Sequence, residues 1–193
     1  ANNGDLMVTL ADQGAFDVGS NIATTPGKVV FRNHLFELIQ YSPTTQTVQE
    51  VPLVIFPPWI NKFYIMDLRP ENSLVKWIVD QGFTLFVVSW VNPDASMRDT
   101  GVETYIEDGF LTAIEQVKQI CDVPQVNATG YCIGGTTLSI TLALLAQRGD
   151  LNPAHGSSVS RVVNSKNGVR SAVSGSGADG AGVDDFGHDV VRP

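Results

Sequence analysis

Cationic residues and cysteines are scarce in this sequence. Its 193 residues include 12 lysines and arginines against 20 aspartates and glutamates, and the formal net charge is -8. Because proteins that bind nucleic acid need a cationic surface, this balance argues against a nucleic acid partner. Two cysteines are too few for a disulfide framework. The histidines and cysteines are scattered without ligand spacing, so the sequence predicts neither a metal site nor a cofactor.

Long hydrophobic runs are also missing. The longest apolar segments have the length of strands, well short of the roughly 20 residues that span a bilayer. No basic cluster precedes an apolar segment within residues 1–20, so we expect no secretory signal and a cytoplasmic location. A chain of this length with 43% hydrophobic residues is sufficient for one domain with a sizeable core.

The composition divides the sequence into three zones. Residues 1–26 form a polar lead-in that ends at a Pro-Gly turn. Residues 27–150 alternate apolar runs with helical patterns and hold the candidate core. Residues 151–193 contain seven glycines and seven serines and keep no period of 2 or 3.6 residues, so we predict a largely disordered tail.

Two continuous apolar runs in the core zone, at residues 51–58 and 84–90, indicate buried strands. A third strand is expected at residues 125–132, where it leads into the sequence around Cys132. Helical patterns follow at residues 72–82, 100–121 and 135–149. Residues 29–41 fit either two adjacent strands or a strand and a short helix. Strands that alternate with helices predict an α/β fold with a doubly wound, mostly parallel sheet.

Capping residues predict where two of these helices begin. Asn72 is expected to cap the first helix, whose apolar positions are Leu74, Trp77 and Ile78. Thr-Gly-Val-Glu at residues 100–103 has the spacing of a capping box ahead of the second helix. The apolar face of that second helix comprises Ile106, Phe110, Ile114, Val117 and Cys121. Its cysteine is therefore expected in the core, without a disulfide to Cys132.

The sequence GYCIGG at residues 130–135 has the Gly-x-Cys-x-Gly spacing of a nucleophile elbow. Such a turn between a buried strand and a helix strains the backbone of the nucleophile and needs small neighbours, here Gly130 and Gly134. Cys132 is the candidate nucleophile, and the backbone N–H of Ile133 is a candidate oxyanion donor at a helix start that favours negative charge. The alternative is a small apolar cysteine at a strand end, with glycines chosen for close packing.

Longer blocks accompany this motif in the same order as in a known family. They include NIATTPGKVVFRNHLFELIQYSPTT from residue 21, PPWINKFYIMDL from residue 57 and VNATGYCIGGTTLSITLALLAQRGD from residue 126. On these blocks, over roughly residues 15–150, the sequence resembles the polyhydroxyalkanoate (poly-3-hydroxybutyrate) synthases of class I, which act on short-chain 3-hydroxyacyl coenzyme A.

The resemblance implies an α/β-hydrolase-like catalytic core, present here only in its first half. It implies an acyltransferase that polymerises 3-hydroxyacyl coenzyme A into polyhydroxyalkanoate, with the acyl group held by Cys132 as a covalent thioester. It also implies a growing polyester chain or a granule surface as a partner, a homodimer, and a cytoplasmic location at polyester granules.

The block PPWINKFYIMDL follows a predicted strand, where the implied fold places its second oxyanion donor. The candidate is a backbone N–H between Trp59 and Asn61. The alternative is a structural loop with Trp59 as a lid over the core. Lys62 either meets a coenzyme A phosphate or is a solvated lysine.

The sequence departs from the family after residue 150. The family places an aspartate and a histidine far beyond the cysteine, on loops that follow later strands. Asp184, Asp185 and His188 have the expected order, but they are too close together to come from two separate loops, so we interpret them as a chance match. We expect a synthase fragment that lacks its catalytic aspartate and histidine, with a tail that arose from a frame shift, a truncated amplicon or a fused segment.

Two alternatives stand beside the synthase interpretation. One is a cysteine-dependent hydrolase of the same fold, which would pass the acyl group of a thioester or lactone to water. The other is a non-catalytic chain, either an inactive fragment or an interaction module on polyester granules. In each case His34 and His155 are interpreted as solvated or structural residues.

Overall fold

The computed structural model describes residue 12, residues 14–149 and the backbone of residues 158–164 and 170–171. Its strands are β1 (Gly27–Arg32), β2 (Phe36–Tyr41), β3 (Leu53–Phe56), β4 (Asp67–Arg69), β5 (Asn72–Ser73), β6 (Leu85–Trp90), β7 (Gln125–Gly130), β8 (Ser158–Asn164) and β9 (Arg170–Ser171). Its α-helices are α1 (Leu74–Asp80), α2 (Val102–Thr104), α3 (Thr112–Cys121) and α4 (Ile133–Arg148). A π-helical segment, Tyr105–Leu111, joins α2 to α3. Short 3-10 turns lie at Phe63–Met66 and Ala95–Met97.

Seven of the described strands form one sheet in the order β1-β2-β6-β3-β7-β8-β9. Strand β3 pairs in parallel with both β6 and β7, and β7 pairs in parallel with β8. At the edges, β1 and β2 are antiparallel to each other, β2 is antiparallel to β6, and β9 is antiparallel to β8. The fold is therefore an α/β fold with a mostly parallel sheet, as predicted, and β3 is a central strand.

Residues 29–41, which fitted two alternatives, form two adjacent strands. Strands β1 and β2 make an antiparallel hairpin through a short turn at residues 33–35. In this turn the Asn33 side chain accepts hydrogen bonds from the backbone N–H groups of Leu35 and Phe36 at 2.9 and 3.0 Å. An asparagine that bonds its own backbone in this way favours a turn over a helix.

Helices cover both faces of the sheet, which makes it doubly wound. Successive residues of β3 point to opposite faces, so Val54 and Phe56 pack with buried residues of α3 and α4, whereas Ile55 packs with buried residues of α1. The ring of Phe56 stacks on Phe110 of the π-helical segment with centroids 4.2 Å apart. The three predicted strands are confirmed: β3 and β6 are apolar runs buried on both faces, whereas β7 alternates polar and apolar residues and fully buries one face.

The predicted start of α1 was wrong by one residue, and of its three predicted apolar positions only Ile78 is buried. The helix begins at Leu74 with Ser73 as its N-cap, and the Ser73 hydroxyl oxygen accepts a hydrogen bond from the Lys76 N–H at 2.9 Å. The sequence-predicted cap, Asn72, instead pairs with Arg69 in the β4–β5 hairpin. Leu74 and Trp77 are exposed, whereas the buried residues are Val75, Ile78 and Val79.

The predicted capping box of the second helix was also wrong. The helix begins at Val102 with Gly101 at the N-cap and no side-chain cap bond. Thr100 lies outside it, and its backbone N–H donates to the Met97 carbonyl at 2.9 Å, which closes the preceding turn. The predicted apolar face is nevertheless confirmed: Ile106, Phe110, Ile114 and Val117 are buried, and Cys121 is half-buried against the core.

Part of the zone predicted to be disordered is described as strand. Strands β8 and β9 fall within residues 151–193, and β8 continues the sheet beyond β7. The remaining residues of that zone, and most of the polar lead-in, lie outside the described residues. Among the helices that the structure describes, none has the length and apolar character needed to cross a membrane.

Candidate active site

Cys132 occupies the turn between β7 and α4, on a backbone conformation that is rare for a residue with a side chain. It is the N-cap of α4, with φ 57° and ψ -126°. A non-glycine residue held at such angles costs about 1–3 kcal/mol, and strained residues of this kind cluster at functional sites. The Cys132 side chain is half-buried. The predicted elbow geometry is therefore present at the predicted residue.

Gly130 and Gly134 are glycines because the turn leaves no space for a Cβ atom. A Cβ on Gly130 would lie 2.4 Å from the Cα of Gly135. On Gly134 it would lie 2.2 Å from the Phe56 carbonyl oxygen and 3.0 Å from the Pro57 carbonyl oxygen. Both glycines thus let the first turn of α4 approach β7 and the end of β3.

Backbone hydrogen bonds hold the elbow against β3. The Tyr131 N–H donates to the Phe56 carbonyl at 3.1 Å, and the Cys132 carbonyl accepts from Gly135 at 3.0 Å to begin the helix. Ile133 follows as the first residue of α4 and is exposed. The first N–H groups of a helix have no acceptor in a preceding turn, so the Ile133 N–H lies at the position where an oxyanion donor is expected.

The loop that follows β3, residues 57–62, runs beside this elbow; we call it the β3 loop. The Asn61 N–H, one of the predicted oxyanion donors, donates to the Pro58 carbonyl at 3.2 Å and closes a turn. Within residues 14–149 no backbone acceptor is assigned to the N–H of Trp59 or Ile60. Unlike the Asn61 N–H, those two amides are not committed to this turn.

The Trp59 side chain packs onto the core and fastens the β3 loop. Its ring stacks on Tyr105 with centroids 4.7 Å apart and meets Trp90 edge-on at 6.4 Å. This supports the alternative in which Trp59 is a lid over the core. The side chain and the backbone N–H are separate groups, so a lid and an oxyanion donor can belong to the same residue.

Lys62 makes a side-chain contact across the edge of the sheet. Its Nζ donates a hydrogen bond to the Asn92 side chain, which follows β6. This bond joins the loops after β3 and β6, at the same edge as the elbow. The Lys62 ammonium group thus has a protein partner at this edge of the sheet.

His34 lies too far from Cys132 to act as its base. It lies in the β1–β2 turn, and its Nε2 is 3.6 Å from Asp108 Oδ2 in an exposed pair that is charged only when His34 is protonated. Strands β6 and β3 separate β2 from β7. Three strand spacings of about 4.8 Å put this turn about 14 Å from the elbow. The other predicted residues, His155, Asp184, Asp185 and His188, lie outside the described residues.

Cys121 differs from Cys132 in its environment. It lies at the end of α3, half-buried against the core, and burial raises the pKa of its thiol. Neither cysteine is in a disulfide. A thiol with a raised pKa is a poorer nucleophile at neutral pH, so the structure agrees with the predicted core role of Cys121.

Asp67 is a buried acid that sequence reasoning missed. Its carboxylate is 1% exposed and accepts hydrogen bonds from the hydroxyls of Thr25 at 2.7 Å and Ser73 at 2.6 Å. The Thr25 N–H also donates to it at 3.2 Å. The only signal in the sequence is an acid inside an apolar block. The bonds tie the segment before β1 to the β4–β5 hairpin, so we assign Asp67 a structural role.

Comparison with known proteins relates the chain to one group of enzymes. Residues 1–78 match the family model described as the N-terminus of poly-beta-hydroxybutyrate polymerase (PhaC). The poly(3-hydroxyalkanoate) polymerase of Methylorubrum extorquens is 53% identical over 150 residues, which are 78% of this chain and 25% of that protein. The polymerase subunit PhaC of Cupriavidus necator is 49% identical over 143 residues, which are 74% of this chain and 24% of that protein.

Solved structures with a similar arrangement are more distant in sequence. A crystal structure described as a putative lipase from Sulfolobus solfataricus is 12% identical to this chain, with a TM-score of 0.48. The matched region is 72% of this chain and 49% of the lipase chain. The chain spans about a quarter of the length of the curated relatives that it matches. The resemblance to the poly(3-hydroxyalkanoate) polymerases is confirmed: about half of the residues are identical over more than 70% of this chain, and residues 1–78 match the family's N-terminal model.

Proposed function

We propose that Cys132 accepts the acyl group of a 3-hydroxyacyl coenzyme A as the covalent step of polyhydroxyalkanoate polymerisation. The observation that carries this proposal is the strained backbone of Cys132 at the end of β7, between two glycines that admit no side chain. A packing cysteine gains nothing from such a conformation, whereas a nucleophile gains exposure at the carboxyl edge of the sheet. The names of the relatives supply the class of reaction.

The proposed step exchanges one thioester for another. The Cys132 Sγ attacks the acyl carbon, a new sulfur–carbon bond forms, the bond to the coenzyme A sulfur breaks, and the thiol proton ends on coenzyme A. Because both the reactant and the product are thioesters, the exchange is close to isoenergetic and needs a soft nucleophile. The Ile133 N–H and an amide of the β3 loop would stabilise the oxyanion that forms in between.

Chain growth requires groups beyond this elbow. The 3-hydroxyl oxygen of a second 3-hydroxyacyl coenzyme A must attack the thioester carbon while a base takes its proton; the bond to the Cys132 Sγ breaks, and the released thiolate takes up that proton. The lengthened chain, now a coenzyme A thioester, then exchanges back onto the Cys132 thiol and releases coenzyme A. His34 is the one histidine among the described residues, and it lies about three strands from Cys132. We propose that the described residues supply the acyl acceptor, and that the aspartate and histidine implied by the family resemblance complete the polymerase, which acts in the cytoplasm at the surface of its polyester product.

The test is the intact mass of the chain after incubation with 3-hydroxybutyryl coenzyme A. We expect one acyl adduct, released by hydroxylamine, that is lost in Cys132→Ala and retained in Cys121→Ala. The Cys121 variant is the matched control because it removes the other thiol. An adduct that persists in Cys132→Ala, or none in the wild-type chain, would overturn the proposal and favour a non-catalytic chain.

The product distinguishes a polymerase from a hydrolase of the same fold. Free 3-hydroxybutyrate, formed in amounts equal to the coenzyme A released, would show that water is the acyl acceptor. An acyl group that stays on the enzyme supports the acyltransferase. So does an acyl group that grows by further 3-hydroxybutyryl units when more 3-hydroxybutyryl coenzyme A is added.

A further inference from the structure

Trp90 joins the end of β6 to the β3 loop by a buried hydrogen bond. Its indole Nε1–H donates to the Pro57 carbonyl oxygen at 2.7 Å, and the residue is 9% exposed. A buried carbonyl left without a donor costs free energy, so this bond gives the loop a preferred position. Pro57 and Pro58 have no N–H groups of their own, which limits the other bonds that can hold this end of the loop.

The carbonyl that Trp90 holds also lies against the nucleophile elbow. A Cβ on Gly134 would stand 3.0 Å from the Pro57 oxygen, and Gly134 is two residues after Cys132. The same oxygen therefore contacts both the indole of Trp90 and the first turn of α4. Any shift of this carbonyl would move the Trp59 and Ile60 amides relative to Cys132.

The indole of Trp90 is itself locked in place. A Cβ on Gly109, in the π-helical segment, would lie 3.0 and 3.1 Å from two atoms of the ring. The ring also packs against Phe110 and Tyr105, each with centroids 5.6 Å apart, and against Phe36 at 5.9 Å. Because the ring has no room to turn, the direction of its N–H is determined by the core.

From these contacts we infer that Trp90 is a positioning residue, which holds the β3 loop at the distance from Cys132 that its amides need to stabilise the oxyanion. A phenylalanine at position 90 would fill much of the same space but could not donate to Pro57. The positional part of this inference depends on contacts alone, and its catalytic consequence rests on the proposed function.

The experiment compares Trp90→Phe with Trp77→Phe, a tryptophan on the exposed side of α1. A second variant carries benzothienylalanine at position 90, which keeps the ring shape and lacks only the N–H donor. Hydrogen exchange of the peptide that covers residues 57–66 reports the loop. The rate of acylation by 3-hydroxybutyryl coenzyme A reports the oxyanion donors, and the rate of alkylation by iodoacetamide reports thiol access alone.

We expect both position-90 variants to exchange faster in the β3 loop and to acylate about tenfold more slowly, the size expected for one lost hydrogen bond. Alkylation should stay within about twofold of wild type, since it forms no oxyanion. Loop exchange and acylation equal to those of Trp77→Phe would overturn the inference. If the wild-type chain is not acylated at all, the proposed function fails, and the exchange rates alone decide whether Trp90 positions the loop.

Discussion

Gly134 lies so close to Phe56 that a Cβ atom on it would stand 2.2 Å from the Phe56 carbonyl oxygen. The neighbour is backbone of a central strand and cannot turn aside. We therefore expect Gly134→Ala to lower the free energy of unfolding by about 3 kcal/mol, through overpacking. Chemical unfolding measures the change, with Thr136→Ala on the exposed side of the same turn as control. Equal stability of the two variants would mean that the elbow can open.

Two substitutions of Cys132 distinguish the effect of its backbone strain from the effect of losing its thiol. Both Cys132→Ala and Cys132→Gly remove the thiol and should abolish the acyl adduct. Glycine adopts a positive φ without strain, but it also raises the conformational entropy of the unfolded chain. The relief of strain is the larger effect, so we expect Cys132→Gly to be more stable than Cys132→Ala by about 1 kcal/mol. Thermal unfolding of the two purified variants checks this. If the alanine variant is the more stable one, the backbone at residue 132 relaxes once the thiol is gone.

The contact between Arg148 and Glu107 predicts a pH dependence. The Arg148 guanidinium at the end of α4 bonds the Glu107 carboxylate, and this bond, together with the nearby positive charge, holds the pKa of Glu107 below its ordinary value of 4.5. A carboxylate with a lowered folded-state pKa stabilises the fold above its unfolded pKa and loses that effect as the pH falls through the folded value. Both side chains are well exposed, so the pair contributes less than about 1 kcal/mol.

Arg148→Gln should accordingly destabilise the chain slightly at pH 7, and the difference from wild type should shrink below pH 4.5 and in 1 M salt. Urea unfolding at pH 7 and at pH 3.5 measures it. Lys76→Gln, which removes a similar exposed pair with Asp80 within one helix, is the comparison for ion pairs that do not join two elements. A difference that persists unchanged at low pH would assign the effect to packing of the arginine stem.

Replacing Tyr41 by phenylalanine should raise the stability of the fold. Its hydroxyl is buried and makes no hydrogen bond within the part of the chain that the structure describes. Burial and the negative charge of Asp67 raise the pKa of Tyr41, so the phenol stays neutral at any ordinary pH. Removing an unsatisfied buried group recovers its desolvation cost, and we expect Tyr41→Phe to raise the free energy of unfolding by about 1 kcal/mol. Tyr131→Phe, at a half-buried tyrosine, should change it little, and a loss of stability in Tyr41→Phe would contradict the prediction.

The parts of the molecule that sequence reasoning predicts well are those set by local pattern. Strands β3 and β6 are continuous apolar runs because both faces are buried, and the turn at Cys132 follows from glycines two residues to either side. The N-cap of α1 was harder to predict because Asn72 and Ser73 are adjacent polar residues. Asn72 pairs with Arg69 in the β4–β5 hairpin, and this leaves Ser73 as the cap. The bond from Trp90 to Pro57 joins residues 33 positions apart, and no local pattern marks it.

The π-helical segment between α2 and α3 makes the fold depend on the number of residues in this stretch as well as on their side chains. A π turn accommodates one residue more than an α turn, so deleting one residue within Tyr105–Leu111 would leave a regular helix. The helices on either side would keep their relative orientation, because the π segment absorbs the extra residue, and only residues inside the segment would change direction. Gly109 would then lose its place under the Trp90 indole, although every side chain that contacts the β3 loop would still be present in the sequence.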